Sequence, residues 1–116
     1  MGKLVYGDGF EINLDDRVLS HLQIVMGLKL RRKEGFFFSW SETVANGSGR
    51  VSVWIDPSVP LVFRYRGGRL PSVNREWLTV LTASSNSSAG LQLTPEIEAE
   101  TAVPESAPRR TSEPRG

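Results

Sequence analysis

The residues whose types and spacing best suit a chemical task are three arginines and two large aromatics: Arg50, Arg64, Arg66, Phe37 and Trp54. They fall on runs with strand-like alternation, where side chains two apart share a face, and one consistent division sends all five to the same side. Guanidinium groups neutralise phosphates and exposed rings stack on unpaired bases, so a sheet face bearing both is a platform for single-stranded nucleic acid. The competing expectation is that the same face is sealed by protein, with the arginines forming a soluble rim. DNA or another protein is therefore the expected partner, and a homodimer is a further reading.

No catalytic constellation emerges. Ser-His-Asp chemistry would need His21, the single histidine, which sits inside a helical pattern with no reason to face a nucleophile. Asp15 and Asp16 are adjacent carboxylates better explained as a helix cap than as an acid–base pair. Gly67-Gly68 and Gly47-Ser48-Gly49 lack the Gly-Lys-Ser/Thr and dinucleotide fingerprints of phosphate loops. The basic run from Lys29 to Lys33 is what a solvated helix end carries. Zero cysteines remove disulfides, thiolate catalysis and Cys-ligated zinc, and one histidine cannot build a His-rich metal site. The reading is accordingly of a non-catalytic module with no catalytic residue, no cofactor and no metal.

The elements that must position these residues follow from pattern. Runs over 36–40, 50–55 and 61–66 are rich in aromatic and β-branched residues and separated by breakers, the second being Asp56-Pro57-Ser58-Val59-Pro60. They predict a three-stranded antiparallel meander with Phe36, Phe38, Trp40, Val51, Val53, Ile55, Leu61, Phe63 and Tyr65 facing the core. The opposite face then carries Phe37, Ser39, Ser41, Arg50, Ser52, Trp54, Val62, Arg64 and Arg66. Two earlier strands flank Gly7-Asp8-Gly9. A helix capped by Asp15 or Asp16 runs to about Arg32 on the apolar stripe of Val18, Leu19, Leu22, Val25, Met26 and Leu30, with Gly35 as stop signal. A second apolar line on that helix, His21, Ile24 and Leu28, is a candidate contact with another subunit or with another segment of the chain. Ser72 or Asn74 caps a second helix carrying Trp77, Leu78 and Leu81, and a short strand over 91–93 follows.

This order predicts an α+β domain: an antiparallel or mixed sheet of about five to six strands with two helices on one face. A single compact domain over 1–94 is expected, and a disordered tail rich in Pro, Glu and Ser over 95–116. Up to residue 94 there are 11 lysines and arginines against 8 acids, and beyond it 3 against 5, so the folded part is mildly basic and the tail mildly acidic. A surplus of three is small for a dedicated nucleic-acid binder, which throws the weight onto local clustering. No run approaches the roughly 18 apolar residues of a membrane span and no apolar secretory stretch follows the start, so a cytoplasmic location is expected.

Met1-Gly2-Lys3-Leu4-Val5-Tyr6-Gly7, Ile12 to Leu19 with His21-Leu22, Lys29-Leu30-Arg31-Arg32 leading to Phe38-Ser39-Trp40, Val53 through Leu61, Asn74-Arg75-Glu76-Trp77, Ser85-Asn86-Ser87 and Gly90-Leu91 together resemble a family. Its members are short uncharacterised proteins of high-GC Gram-positive bacteria, often labelled ATP-dependent DNA ligase, and the resemblance covers about residues 1 to 96. Ligases of that class work through the lysine of Lys-x-Asp-Gly, whose amine attacks the α-phosphate of ATP. Here the lysines stand in Lys3-Leu-Val-Tyr, Lys29-Leu-Arg-Arg and Lys33-Glu-Gly-Phe, none of which fits. The resemblance thus implies an α+β fold and a nucleic-acid connection, and supplies no catalytic residue.

Overall fold

A computed structural model describes residues 2–44, 47–69 and 71–96. In order they form β1 (Gly2–Tyr6), β2 (Phe10–Leu14), α1 (Asp16–Arg31), β3 (Phe36–Val44), β4 (Gly47–Ile55), β5 (Leu61–Arg64), α2 (Arg75–Ser85) and β6 (Leu91–Gln92). The class is α+β, with six strands and two helices among the described residues, as the sequence pattern predicts. The expected tail lies, from residue 97, outside the described residues.

The strands divide into two three-stranded sheets, ordered β2-β1-β5 and β4-β3-β6. This corrects the expected meander: β3 and β4 do form an antiparallel hairpin, but β5 leaves it and pairs antiparallel with β1, Leu4 facing Phe63. The cause lies in the connection. Asp56 takes the Ser58 amide and hydroxyl on its side chain while Val59 N–H closes on the Asp56 carbonyl, a turn set between Pro57 and Pro60 that carries the chain out of line with β4. The N-terminal hairpin holds both ends of that turn, with Gly7 N–H on the Pro60 carbonyl at 3.0 Å and Tyr6 hydroxyl accepting from Asp56 N–H at 2.9 Å. Alternation of side chains says which face a strand buries and nothing about which edge it joins.

The expected inner set does line the core. Phe36, Phe38, Trp40 and Ile55 are buried from the β4-β3-β6 sheet, Leu4 from the other, and Leu19, Leu22, Val25 and Met26 from α1. From α2 come Trp77 and Leu81, and β6 adds Leu91 by running parallel to β3. Burying side chains of this size stabilises by about 1.5–3 kcal/mol each before conformational entropy is subtracted.

At the start of α1 the two aspartates divide their work differently from a simple cap. Asp15 is the N-cap residue without a side-chain cap bond, while the Asp16 carboxylate reaches out to the amides of Arg66 and Gly67 at 2.9 and 2.8 Å. Those two amides, Arg66 first, hold the Asp16 carboxyl below its usual range. At the other end α1 closes at Arg31, close to the expected Arg32, but the stop position falls two residues before Gly35. Lys33 takes the left-handed conformation, φ 59°, donating to the Leu30 carbonyl while Glu34 N–H reaches the Lys29 carbonyl, the paired bonds of a Schellman ending. A lysine Cβ is disfavoured there, so Lys33→Gly is expected to raise stability by about 0.5–1 kcal/mol, read as a higher denaturation midpoint with unchanged m-value.

Candidate functional site

The β3–β4 register brings one group of the predicted surface residues together. Phe37 faces Trp54, Ser39 faces Ser52 and Ser41 faces Arg50, all on the side away from the core. The rings of Phe37 and Trp54 meet edge to face, centroids 5.1 Å apart at 73°, and keep 46% and 48% of their surface in solvent. Cross-strand aromatic pairs of this geometry contribute about 0.5–1.5 kcal/mol beyond burial. Gly35 makes room for the indole, since a Cβ there would stand 2.5 Å from Trp54 Cζ2. Asp56 accepts hydrogen bonds from the Ser58 amide and hydroxyl, and these bonds, the amide first, hold its carboxyl below the usual range. Trp54 is thus an exposed ring packed against Phe37 and seated over Gly35.

Arg50 extends along the same face and donates to Gln92 Oε1 at 3.1 Å, across β3. Ser39, expected on the exposed side, is buried because β6 lies along β3 and its hydroxyl bonds to that of Ser52 at 2.7 Å. The remaining two arginines are elsewhere. Arg64 stands on β5 opposite Lys3 in the other sheet, and Arg66 lies in the loop beyond it, tied by its amide to Asp16. The single basic face expected from the sequence is therefore not formed, because it presupposed that β5 continues the β3–β4 hairpin.

The predicted line of His21, Ile24 and Leu28 also divides. Ile24 and Leu28 are exposed and, with Tyr65, Pro71 and Val73, border a groove of about 370 Å³. His21 is wholly buried under the start of α2, which covers it with Asn74 and Trp77.

Sequence reasoning missed a polar clamp at the N-terminal ends of both helices. Arg17 grips both oxygens of Glu96 at 2.7 and 2.6 Å and donates to the Ser72 carbonyl at 2.9 Å. Asn74 caps α2 by accepting from Trp77 N–H and donates its amide hydrogen to Glu96 at 2.8 Å. Arg17 and Glu96 are 79 positions apart, and only the cap at Asn74 left a local signal. A cleft of about 860 Å³ opens beside the clamp, between β2 and β3, with Trp40, Glu11 and Glu42 in its walls. Among the described residues no three His, Cys, Asp or Glu side chains are grouped to hold a metal, and no helix is long and apolar enough to cross a membrane.

Hydrogen bonds from Arg17 first, then Asn74, depress the Glu96 carboxyl to about 2. A depressed carboxyl adds stability that is complete above the unfolded value near 4.5 and is lost as pH falls through about 2. Because the two side chains keep 38% and 30% of their surface in solvent, screening reduces the loss to about 1 kcal/mol. Thermal unfolding between pH 6 and pH 2 should show it, and Glu96→Gln should remove that part of the acid dependence; an identical pH profile in the variant would count against the clamp.

No curated protein and no solved structure matches this chain. A family model does, across the whole described domain from the first strand to the Glu96 clamp: over residues 1–96 the chain belongs to the Domain of unknown function (DUF7882) family.

Proposed function

We propose that this protein is a non-catalytic interaction module whose contact surface is the outer face of the β4-β3-β6 sheet, and that its partner is protein. The observation that carries this reading is the Phe37–Trp54 pair: two large rings, about half exposed, packed edge to face on each other with the indole seated against Gly35. Rigid aromatic side chains lose little conformational entropy on binding, which is why such residues anchor interfaces. Selection of extended peptides from a random display library on the full chain tests it. Peptides whose affinity falls at least about tenfold on Trp54→Ser are the expected outcome, matching a hot-spot loss above about 1.4 kcal/mol; binders indifferent to Trp54 would refute it.

Nucleic acid is the second reading, supported by Arg50 on the same face as the two rings. It ranks below protein because Arg64 and Arg66 stand apart from them. A fluorescence-anisotropy titration with short single-stranded and duplex DNA should show binding that weakens with salt if this reading holds, and no binding at low salt removes it. A ligase-related activity would leave a radiolabelled adenylate on the protein after incubation with ATP; with Lys-x-Asp-Gly lacking at Lys3, Lys29 and Lys33, none is expected.

A further inference from the structure

We infer that the partner is a second copy of the chain, joined edge to edge through β4 at the rim of this face in an antiparallel register centred on Ser52, so that Arg50 of each copy lies over Trp54 of the other. The inference rests on the interaction-module reading above and specifies its occupant.

The edge is open in the required sense. β4 ends its sheet, and among the described residues only β3 pairs with it. Leu93 N–H bonds to the Ser39 carbonyl, so Ser39 directs its backbone groups toward β6 and away from β4. In an antiparallel pair, opposite residues share that orientation. Ser52, which faces Ser39, therefore points its own N–H and C=O at the free edge, as do Arg50 and Trp54 two positions either side. These three residues offer the unmade ladder bonds, and their side chains all lie on the outer face.

The same edge is self-complementary. Pairing Ser52 with its own copy sets Arg50 opposite Trp54 and Trp54 opposite Arg50, since 50 and 54 are equidistant from 52. Each guanidinium then reaches an exposed indole, with Asp56 diagonally beyond it. To do so Arg50 gives up one exposed hydrogen bond to Gln92. On the inner side Val51 meets Val53 twice, a β-branched pairing suited to a sheet that continues through the two-fold axis. The other long edges are defended: β2 carries Glu11 and Asn13 outward, while β5 has four residues with Arg64 outward. β4 has nine residues, and over 50–55 it carries no lysine, no proline and no inward charge, the usual devices against edge pairing.

The absence of cysteine makes the register directly testable. In the full-length chain, Ser52→Cys places two thiols across the axis at a Cα separation of about 5.5 Å, within disulfide range. Mild oxidation should link it rapidly into a covalent dimer, whereas Asn13→Cys on the β2 edge should form no covalent dimer. Light scattering of the wild type should show a concentration-dependent dimer, weakened about tenfold or more by Arg50→Glu, which replaces two cation–π contacts with repulsion. Circular dichroism confirms that each variant is folded. A wild type that remains monomeric at high concentration overturns the inference while leaving the peptide selection above to judge the module reading on its own. A dimer that Ser52→Cys fails to link, or that Arg50→Glu leaves intact, overturns the register.

Discussion

Replacing Gly90 by alanine is expected to destabilise the protein by about 2–4 kcal/mol, the range of a buried steric conflict combined with an unfavourable backbone conformation. Gly90 has φ +87°, where an L side chain is strained, and a Cβ at this position would meet the Phe37 carbonyl oxygen at 2.6 Å and Phe37 Cβ at 2.9 Å. Phe37 cannot give way cheaply. Its strand is the middle one of three, paired with β4 on one side and β6 on the other. The alternative is for β6 to move, which withdraws the wholly buried Leu91 from the core and breaks the link through Ser84, whose hydroxyl donates to the Gly90 carbonyl and accepts from Gln92 N–H. Chemical denaturation gives the number. Gly27→Ala is the internal control: it lies inside α1, nothing stands within 4 Å of its added Cβ, and helix propensity predicts a gain of about 0.5–1 kcal/mol. Equal effects at the two glycines would contradict the close approach of β6 to β3.

His21→Phe is expected to cost about 2–3 kcal/mol although it keeps a ring of similar shape in the core, because two buried hydrogen bonds of the imidazole are lost. His21 Nδ1 lies 2.7 Å from the Arg17 carbonyl, and Nε2 accepts the Asn74 N–H at 2.9 Å. These contacts define a neutral ring with its hydrogen on Nδ1, donating to the carbonyl of Arg17 and leaving Nε2 bare. The imidazole also packs on Trp77, centroids 4.7 Å apart. Phenylalanine retains that contact and abandons both hydrogen bonds, removing the acceptor that Nε2 offers the Asn74 N–H in a site that is 4% exposed. The measured loss should appear in the denaturation midpoint, and ¹⁵N shifts of the wild-type ring should report the Nδ1–H tautomer. A cost below about 0.5 kcal/mol would place His21 outside the helix–helix junction, since the loss of two buried hydrogen bonds cannot be that cheap.

How far the chain could be read in advance depended on the range of the interactions concerned. Period-two alternation over 36–40 and 50–55 sorted inward from outward residues correctly, with Ser39 the exception, because a strand's two faces are a local property of its pleat. Helical spacing likewise identified Leu19, Leu22, Val25 and Met26 as the buried stripe of α1, and Asn74 as the cap of α2. The exposed pair Phe37 and Trp54 was legible for the same reason, and so was its shared face with Arg50 within one hairpin. Arg64 and Arg66 were misplaced because their position depended on which edge β5 would join.

Residue type and periodicity thus determined the α+β class, the elements, the burial of each face and the exposed aromatic pair. Tertiary structure alone decided the division into two sheets, the burial of His21 beneath α2, the approach of Gly90 to Phe37 and the grip of Arg17 on Glu96. The physical reason is separation along the chain. Face and cap follow from neighbours within a turn or two, whereas these four arrangements join backbone edges and side chains 50 or more residues apart, or bring two backbones into direct contact, and a local pattern carries no record of either.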